Sequence, residues 1–369
     1  MSSTQIVQSY TSIEKVYGPM TAILSNTKRD QPSLQPLVDM LADQMLEVNR
    51  TILTRMHSEV PLIAELGGHL IAAGGKRMRP LLTLSGAAVV GADRSGLEKA
   101  IKLATAVEFI HSATLLHDDV IDDSKLRRGR DTANSLWGNE ASVLVGDFLF
   151  ARSFELMVET GNIDVLGRLS RAAAQITEGE IKQMAIAGAP DTGMDAYLDV
   201  ITGKTAVLFA AAAAAGAEVG GGSIKDIAVM HDYGMKLGLA FQIMDDTLDY
   251  AADSAAMGKN TGDDFADQKI TMPTIIAWQK GSNSERKFWQ RTLGEAAFEE
   301  GDLVKAQALL AKHDAINLSY AAARNYALQA RDRVLAHCAD GVVAGGDNAS
   351  MTIGQALADA AIFAAARGS

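Results

Sequence analysis

The chain has 369 residues, 48% apolar and 21% charged, which is the composition of an ordinary folded protein with a sizeable core. Its 34 basic and 45 acidic residues give a net charge of −11, which argues against nucleic-acid binding driven by overall attraction to phosphate. The single cysteine, Cys338, excludes a framework of intrachain disulfides and favours a reducing compartment.

Apolar residues recur at helical spacing along most of the chain, and alternating strand-like runs are scarce. The longer predicted helices are 35–57, 93–120, 139–160, 163–187, 195–217, 224–252 and 314–340. Shorter helices are predicted at 60–73, 78–91, 271–280, 284–295, 302–312 and 350–366. Residues 1–32 are interpreted as a weakly structured N-terminal arm. Because no shift in composition marks a second domain, residues 33–369 are predicted to form one all-α domain.

The N-terminus and the most apolar run bear on where the protein resides. No basic segment followed by an apolar one opens the sequence, so a cytoplasmic location is predicted. The run Thr205–Ala217 is too short to cross a bilayer and is predicted to be a buried helix. With no transmembrane segment predicted, any membrane contact would be peripheral, for example during product release.

Two aspartate clusters interrupt apolar sequence near the ends of predicted helices 93–120 and 224–252. The first contains Asp118, Asp119, Asp122 and Asp123, and the second contains Asp245, Asp246 and Asp249. Within each cluster, carboxylates four residues apart share one helix face. Such carboxylates are costly without positive partners, and Mg²⁺, held by carboxylates and substrate phosphates, is a natural partner. If the two helices lie side by side, the clusters face each other across the mouth of the bundle.

Basic residues accompany these carboxylates in several short segments. They are Lys76, Arg77 and Arg79 in GGKRMRP, Arg127, Arg128 and Arg130 after the first cluster, and Lys204, Lys259 and Lys269 later in the chain. Arginine forks bind oxyanions through two hydrogen bonds, and lysine provides a compact charge. Together with carboxylate–metal sites, they indicate a highly anionic substrate such as a diphosphate. No Walker-type phosphate loop is present.

The ordered set of motifs resembles the long-chain trans-polyprenyl diphosphate synthases of the polyprenyl synthetase family, such as octaprenyl and decaprenyl diphosphate synthases. The segments that carry the resemblance are GGKRMRP, EFIHSATLLHDDVIDDSKLRRGRDTAN, WGNEASVLVGDFLFARSF, GKTAVLF, FQIMDDTLD and GKNTGDDFADQKITMP. They span residues 70–280, and one DDxxD motif alone would be weak evidence. The resemblance implies a single-domain helical bundle of the isoprenoid synthase type, and a homodimer.

The resemblance also implies the reaction and its components. An allylic diphosphate, for example farnesyl diphosphate, is condensed in trans with successive isopentenyl diphosphate units, with about three Mg²⁺ ions per active site. Ionisation of the allylic diphosphate leaves a carbocation, the isopentenyl double bond attacks it, and a proton is lost. The released diphosphate is the expected base, because no dedicated side-chain base stands out.

Residue roles follow from the same resemblance. Mg²⁺ ligands are expected at Asp118, Asp122 and Asp245. The implied catalytic set is Asp118, Asp119, Asp122, Arg127, Lys204 and Asp245, with Asp119 and Asp249 interpreted as supporting groups. Contacts with the allylic substrate or its diphosphate are assigned to Arg127, Lys204, Thr205, Gln242 and Lys259. Contacts with the diphosphate of isopentenyl diphosphate are assigned to Lys76, Arg79, His111 and Arg128.

Chain length is addressed by the residues one helical turn before Asp118. In the family it resembles, a bulky aromatic residue there closes the product tunnel, whereas this chain has Ala113 and Thr114. Phe109, a further turn away, either lines or blocks the path. The small residues leave room for a long apolar product of about C40 to C50, the length of quinone side-chain precursors.

Several alternatives stay open. A related enzyme making shorter products of about C15 to C25 would share the same motifs. A non-catalytic regulatory subunit would usually lack carboxylates in one motif, and a terpene cyclase would not need the GGKRMRP and Arg128 set. His117 beside Asp118 suggests a metal phosphohydrolase, but suitably placed companion histidines are missing.

The segment after Lys259 also permits two interpretations. Its three aspartates, Asp263, Asp264 and Asp267, either reinforce the second metal region or lie in a solvated loop. The stretch from Lys269 to Pro273 is predicted to position a helix start, and proximity of Lys269 to phosphate is left open.

Overall fold

The computed structural model describes residues 32–72, 77–127, 129–251, 262–339 and 348–366, with backbone alone at 70–72 and 348–352. Apart from residue 32, the predicted N-terminal arm lies outside these residues. The described chain is helical almost throughout, which confirms the all-α prediction.

The first half of the described chain contains nine helices and one short ribbon. The helices are α1 (Gln35–Met40), α2 (Ala42–Arg55), α3 (Pro61–Ala72), α4 (Met78–Val89), α5 (Arg94–Ile121), α6 (Ala133–Trp137), α7 (Asn139–Val158), α8 (Ile163–Ile186) and α9 (Met194–Ile201). The antiparallel ribbon pairs β1 (Leu126–Arg127) with β2 (Arg130–Asp131).

The second half begins with a π-helical turn, π1 (Thr202–Ala206), that joins α9 to the next helix. The later elements are α10 (Val207–Val219), α11 (Ile224–Tyr250), α12 (Asp263–Ala266), α13 (Met272–Lys280), α14 (Asn283–Trp289), π2 (Gln290–Gly294), α15 (Asp302–Lys312), α16 (Ala315–Ala339) and α17 (Asn348–Ala364). The predicted helix 195–217 is therefore interrupted by π1, and the predicted helix 35–57 is divided at Leu41.

Side-chain caps fix where the helices that carry the site begin. Asp93 accepts a hydrogen bond from the Gly96 amide at 2.7 Å and starts α5. A reciprocal capping box between Ser223 and Asp226 starts α11. A second capping box at Thr271 starts α13, which confirms the predicted helix start in this segment.

Helix α10 occupies the centre of the bundle and packs against α4, α5, α8 and α11. Every residue of the run Thr205–Ala217 is buried, as predicted. Among the described residues, Met194–Val219 is the one stretch long and apolar enough to cross a membrane, yet 83% of its window is buried inside the protein. A helical stretch that is buried to this degree is typical of the core of a folded protein. The two aspartate-bearing helices, α5 and α11, are joined through α10.

Helix α11 also links the two parts of the apolar core. Its first half, including Tyr233 and Leu237, packs into the larger cluster with α4, α5, α7 and α10. Its second half, including Ile243 and Leu248, packs into a smaller cluster formed with α9 and the helices after α12. The second aspartate cluster therefore lies on a helix that is held along most of its length.

Candidate active site

The two aspartate clusters meet at the C-terminal ends of α5 and α11, as predicted. The Lys269 ammonium lies 3.4 Å from Asp122 Oδ2 of the first cluster. The same ammonium lies 3.9 Å from Asp264, whose backbone N–H donates to Asp249 of the second cluster. Lys204 is a charged neighbour of residues in both clusters. Lys204 and Lys269 thus lie between the two aspartate clusters, which form the two walls of the site.

Asp118 faces a mixed set of charges within this site. Burial is the largest effect that raises the pKa of Asp118 to about 7, and the nearby Glu180 and Asp122 carboxylates raise it further. Lys204 and Arg127 act in the opposite direction. A carboxylate that is costly to ionise in this position gains strongly from an added divalent cation.

Asp119 and Arg127 form a direct pair, although both were assigned to the catalytic set. Arg127 donates from Nη2 to Asp119 Oδ1 at 2.7 Å and from Nε to Oδ2 at 3.2 Å. The Asp119 side chain is 6% exposed and that of Arg127 is 39% exposed. Asn134 donates to the Asp119 carbonyl oxygen at 3.0 Å. Asp119 therefore orients Arg127 at the rim of the site, in agreement with its interpretation as a supporting group.

Lys204 lies in the π-helical turn, where a widened backbone often marks a functional position. Its ammonium donates to Glu180 at 2.8 Å and to Gln183 at 2.7 Å, both on α8. Gly179 lets the two backbones approach, because a Cβ there would come within 2.7 Å of the Gly203 carbonyl carbon and would clash with the Lys204 amide nitrogen.

Glu180 and Gln183 are site residues that the sequence interpretation missed. The available signal was a glycine in the middle of a helical pattern, which often marks close packing. Two polar residues follow it, three positions apart and so on neighbouring parts of one helix face. The spacing alone does not identify Lys204 as their partner.

The neighbouring residues Asp245 and Asp246 of the second cluster have different surroundings. Asp246 is buried and accepts hydrogen bonds from the Tyr197 hydroxyl at 2.6 Å and from Gln242 Nε2 at 2.7 Å. Burial raises the pKa of Asp246 to about 6 against these two donors. Asp245 is only partly buried and is a charged neighbour of both Asp246 and Asp264. Asp245 thus stays the metal-ligand candidate on this wall.

Asp249 and the segment after it extend this wall. Burial raises the pKa of Asp249 to about 6, against a hydrogen bond from the Asp264 N–H at 3.0 Å. Burial also raises the pKa of Asp264 well above its usual value, and the Asp246 and Asp249 carboxylates add to that effect. Asp264 therefore lies against the second aspartate cluster, whereas Asp263 is exposed.

Lys269 balances the carboxylates between the two walls. Burial lowers the pKa of its ammonium, but Asp264, Asp267 and Asp122 outweigh burial and raise that pKa above the usual value. Asp267 accepts a hydrogen bond from Lys269 at 2.9 Å. The lysine is consequently a permanent cation within reach of both clusters, which the sequence interpretation left open.

The carboxylate set fits a divalent cation shared with a bound anion. No group of three or more Asp, Glu, His or Cys side chains within the described ranges is close enough to hold a metal ion by itself. Asp118 and Asp122 interact on one wall, with Asp245 on the other. Mg²⁺ characteristically takes one or two carboxylates and completes its shell with water and substrate phosphate. The donor chemistry therefore suits Mg²⁺ bound together with a diphosphate.

The predicted site for a second diphosphate is described only in part. Lys76 and Arg128, two of its four assigned residues, lie outside the described residues, as does Lys259, which was assigned to the allylic substrate. Arg79 stacks over the Phe209 ring, 4.6 Å from its centre, and His111 is partly buried on α5.

Arg77 has a different function from the one its basic neighbours suggest. It adopts a left-handed backbone conformation before α4 and pairs with Glu108 at 3.1 Å. Because Glu108 lies one turn before His111 on α5, this ion pair holds the start of α4 beside that helix.

The predicted chain-length residues lie on α5 below the first cluster. Ala113 and Phe109 are fully buried in the larger core cluster. Thr114 is partly buried and donates to the His111 carbonyl oxygen at 2.9 Å. Their role in limiting product length stays a prediction.

His117 is held by packing. Its Nε2 lies 3.1 Å from the Val143 carbonyl oxygen, and the ring fills the space above Gly146. These contacts explain the histidine without a metal phosphohydrolase site.

Comparison with known proteins places the chain in a family. The family model for polyprenyl synthetase matches residues 60–310. The octaprenyl diphosphate synthase of Haemophilus influenzae is 38% identical over 83% of this chain and 92% of its own length. A decaprenyl diphosphate synthase structure from Rhodobacter capsulatus has a TM-score of 0.84 and 46% identity, covering 91% of this chain and 100% of that one.

A third relative was solved with bound ligands. It is a polyprenyl synthase from Caulobacter crescentus, complexed with calcium and isoprenyl diphosphate. It has a TM-score of 0.84 and 43% identity, covering 92% of this chain and 100% of its own. The shared fold, the extent of the sequence match and the two carboxylate walls all support the same family assignment. This chain belongs to the polyprenyl synthetase family.

Proposed function

We propose that this protein condenses an allylic diphosphate with successive isopentenyl diphosphate units in trans, giving a polyprenyl diphosphate of about C40 to C50. The observation that carries the proposal is the meeting of the two aspartate clusters, with Lys204 and Lys269 between them. The named octaprenyl and decaprenyl synthases support a long product.

The first step is ionisation of the allylic diphosphate, in which the carbon–oxygen bond breaks and diphosphate departs with the electron pair. Asp118 and Asp122 on one wall and Asp245 on the other would hold Mg²⁺. Bound there, Mg²⁺ neutralises charge that develops on the leaving group. Lys204 and Arg127 add fixed positive charge near Asp118, where the diphosphate would bind.

The second step forms the new carbon–carbon bond. The isopentenyl double bond attacks the allylic cation, and the resulting cation loses a proton to the released diphosphate. Arg79 and His111, with Lys76 and Arg128, would hold the isopentenyl diphosphate in place. Buried apolar side chains such as Phe109, Leu116 and Phe209 exclude water from the bundle beneath the clusters, which protects the cation from hydrolysis.

A non-catalytic regulatory subunit is the main alternative from another class. It would not require both carboxylate walls, whereas here Asp118 and Asp122 are matched by Asp245 and Asp249 across the site. The same clusters would serve a synthase of shorter products, so product length is decided separately.

The protein is proposed to act as a homodimer, with a second copy on α7 and α8. Leu144, Phe154 and Val158 are exposed along one side of α7, and Ile181 and Met184 are exposed on α8. The α7 positions recur at intervals of ten and four residues, which places them on one helix face. Exposed apolar residues grouped on two neighbouring helices in this way are typical of an interface.

The product length also suggests the protein's setting. A polyprenyl diphosphate of about C40 to C50 has the length of a quinone side chain, and ubiquinone precursor synthesis is the proposed role. A cytoplasmic enzyme with peripheral membrane contact at product release would fit that role.

The test is incorporation of labelled isopentenyl diphosphate into farnesyl diphosphate, with and without Mg²⁺. Wild type is expected to incorporate label only with Mg²⁺, and Asp118→Ala and Asp245→Ala are expected to lose at least about a hundredfold in kcat. Asp123→Asn is the matched control, because the Asp123 side chain is 77% exposed and pairs with the exposed Lys125. No incorporation by wild type would favour the regulatory subunit, and near-normal turnover in either alanine variant would contradict the metal assignment.

A further inference from the structure

A relay of hydrogen bonds connects α9 to Gln242 and Thr205, the two residues of the relay that were assigned to the allylic substrate. The Tyr197 hydroxyl donates to Asp246 Oδ2 at 2.6 Å. Gln242 Nε2 donates to Asp246 Oδ1 at 2.7 Å. Thr205 Oγ1 donates to Gln242 Oε1 at 2.7 Å. Tyr197, Asp246 and Thr205 are buried and Gln242 is partly buried, so the Tyr197–Asp246 bond lies in the core and the two bonds of Gln242 lie at its edge.

The relay assigns a separate task to Asp246. Each of its two oxygens already accepts a hydrogen bond, one from α9 and one from its own helix. Successive helical residues point about 100° apart, so Asp246 turns into the core while Asp245 points elsewhere and is only partly buried. Asp246 therefore anchors neighbouring side chains.

The relay also fixes the orientation of the Gln242 amide. Carboxylate Asp246 only accepts hydrogen bonds, so the amide NH₂ group must face it. The amide oxygen then faces Thr205, which donates to it, and Thr205 directly follows Lys204 in π1. Rotation of the amide by 180° would place its NH₂ against the Thr205 hydroxyl and its oxygen against the Asp246 carboxylate.

We propose that Tyr197 is a positioning residue for the allylic substrate, because its hydroxyl holds Asp246, and Asp246 in turn holds the amide of Gln242 with its oxygen toward Thr205. This inference rests on the proposed function and on the assignment, made from the sequence, of Gln242 and Thr205 to contacts with the allylic substrate. Tyr197 does not touch the substrate itself and acts through Asp246.

The test removes the hydroxyl alone with Tyr197→Phe, which keeps the buried ring. We expect kcat with farnesyl diphosphate to fall about tenfold, as for one lost hydrogen bond to a charged group. The KM for isopentenyl diphosphate should change less than about twofold, because the relay is proposed to position groups for the allylic substrate alone. A tyrosine with a purely structural role would change stability, but it would not produce this combination of a lower kcat and a nearly unchanged KM for isopentenyl diphosphate.

The matched control is Tyr233→Phe, which removes another buried hydroxyl. Tyr233 lies on α11 and donates to the Leu357 carbonyl oxygen at 2.8 Å, outside the relay. A comparable loss of stability with unchanged kcat is expected for this variant. An equal fall in kcat for Tyr233→Phe would attribute the effect of Tyr197→Phe to destabilisation and overturn the proposal.

A double variant tests whether Tyr197 acts through Gln242. Adding Gln242→Ala to Tyr197→Phe should cost little beyond the loss caused by Gln242→Ala alone. Full additivity of the two losses would overturn the relay, as would wild-type kcat in folded Tyr197→Phe. If Tyr197→Phe does not fold, Asp246→Asn decides by the same kinetic comparison. Absence of turnover in wild type would instead remove the proposed function, and with it the relay.

Discussion

Adjacent carboxylates in each aspartate cluster have different partners. Asp118 lies near Lys204 while Asp119 is paired with Arg127. Asp246 is bonded to Tyr197 while Asp245 is less buried. Because successive residues on a helix point about 100° apart, a DD pair supplies one residue to the site and one to its support.

The residue scale is also where sequence reasoning was most uneven. The carboxylate spacing predicted which side chains share a face, and Asp118 and Asp122 do interact. Glu180 and Lys269 were not assigned, because their partners are distant in sequence and only tertiary packing selects them. The role of a charged residue is therefore difficult to predict when its partner is distant in the sequence.

The pKa of Asp118 predicts a pH-dependent affinity for Mg²⁺. Below pH 7 a proton competes with the metal, so the apparent affinity should rise by up to about tenfold per pH unit and level off above pH 7. The Mg²⁺ concentration that gives half-maximal activation, measured at about half-unit steps between pH 5.5 and 8.5, checks this prediction.

The same raised pKa has a consequence for the metal-free protein. Ionising a carboxyl whose folded-state pKa exceeds its unfolded value disfavours the folded state, so this contribution to stability falls as pH rises toward 7.

Glu180→Gln should lower the pKa of Asp118 and move the pH dependence of Mg²⁺ activation to lower pH. A pH-independent Mg²⁺ requirement would contradict the assignment.

Arg127→Ala is predicted to destabilise the fold as well as to lower activity. The substitution leaves the buried Asp119 carboxylate without its charged partner, at a cost of about 2 kcal/mol in the free energy of unfolding. Denaturant unfolding measures the loss. Arg94→Ala is the control, because that side chain is 94% exposed and its ion pair contributes little. Equal stability of Arg127→Ala and wild type would show that the pair only orients the arginine.

At the scale of elements, the contact between α8 and π1 positions Lys204. The helical periodicity of residues 195–217 predicted one continuous helix, and the π-helical turn inside it was not predictable from spacing. One extra residue in a turn shifts the following side chains by about 100°, but the run after it is apolar at nearly every position and hides that shift. The nearby glycines signal the close packing, but not the widened turn.

Gly179→Ala is predicted to separate these two elements. The added Cβ would clash with the backbone of π1, at a cost of about 2 kcal/mol in stability, and would displace Lys204 from Glu180. Unfolding and kcat measurements together test this. On the same helix, Gly167→Ala meets the end of the flexible Arg171 side chain at 3.2 Å, and it should leave kcat unchanged and stability unchanged or slightly higher. Wild-type behaviour of Gly179→Ala would contradict the packing argument.

At the scale of the whole molecule, the all-α bundle followed from periodicity, while the arrangement of its helices did not. The prediction that the clusters face each other is confirmed, yet α5 and α11 meet through the intervening α10. Sequence spacing predicts which face of a helix is apolar, but the packing partner depends on shapes formed only in the folded chain.

The proposed homodimer predicts that Leu144→Glu gives a monomer. Leu144 is 66% exposed on α7, and a charge there would be buried without a partner in the interface. Sedimentation or light scattering measures the mass. Ile224→Glu is the control, since Ile224 is 88% exposed and lies at the start of α11, which is not part of the proposed interface. A wild-type mass for Leu144→Glu would exclude this surface as the interface.

The length distribution of products, measured for wild type and for Ala113→Phe with farnesyl and isopentenyl diphosphates, tests the central claim most directly. Wild type should give mainly about C40 to C50 products, and the variant shorter ones with turnover preserved. Because Ala113 is fully buried, Thr114→Phe provides a second variant should the first not fold. Wild-type products ending at about C15 to C25, or an unchanged length in a folded variant, would contradict the long-chain account.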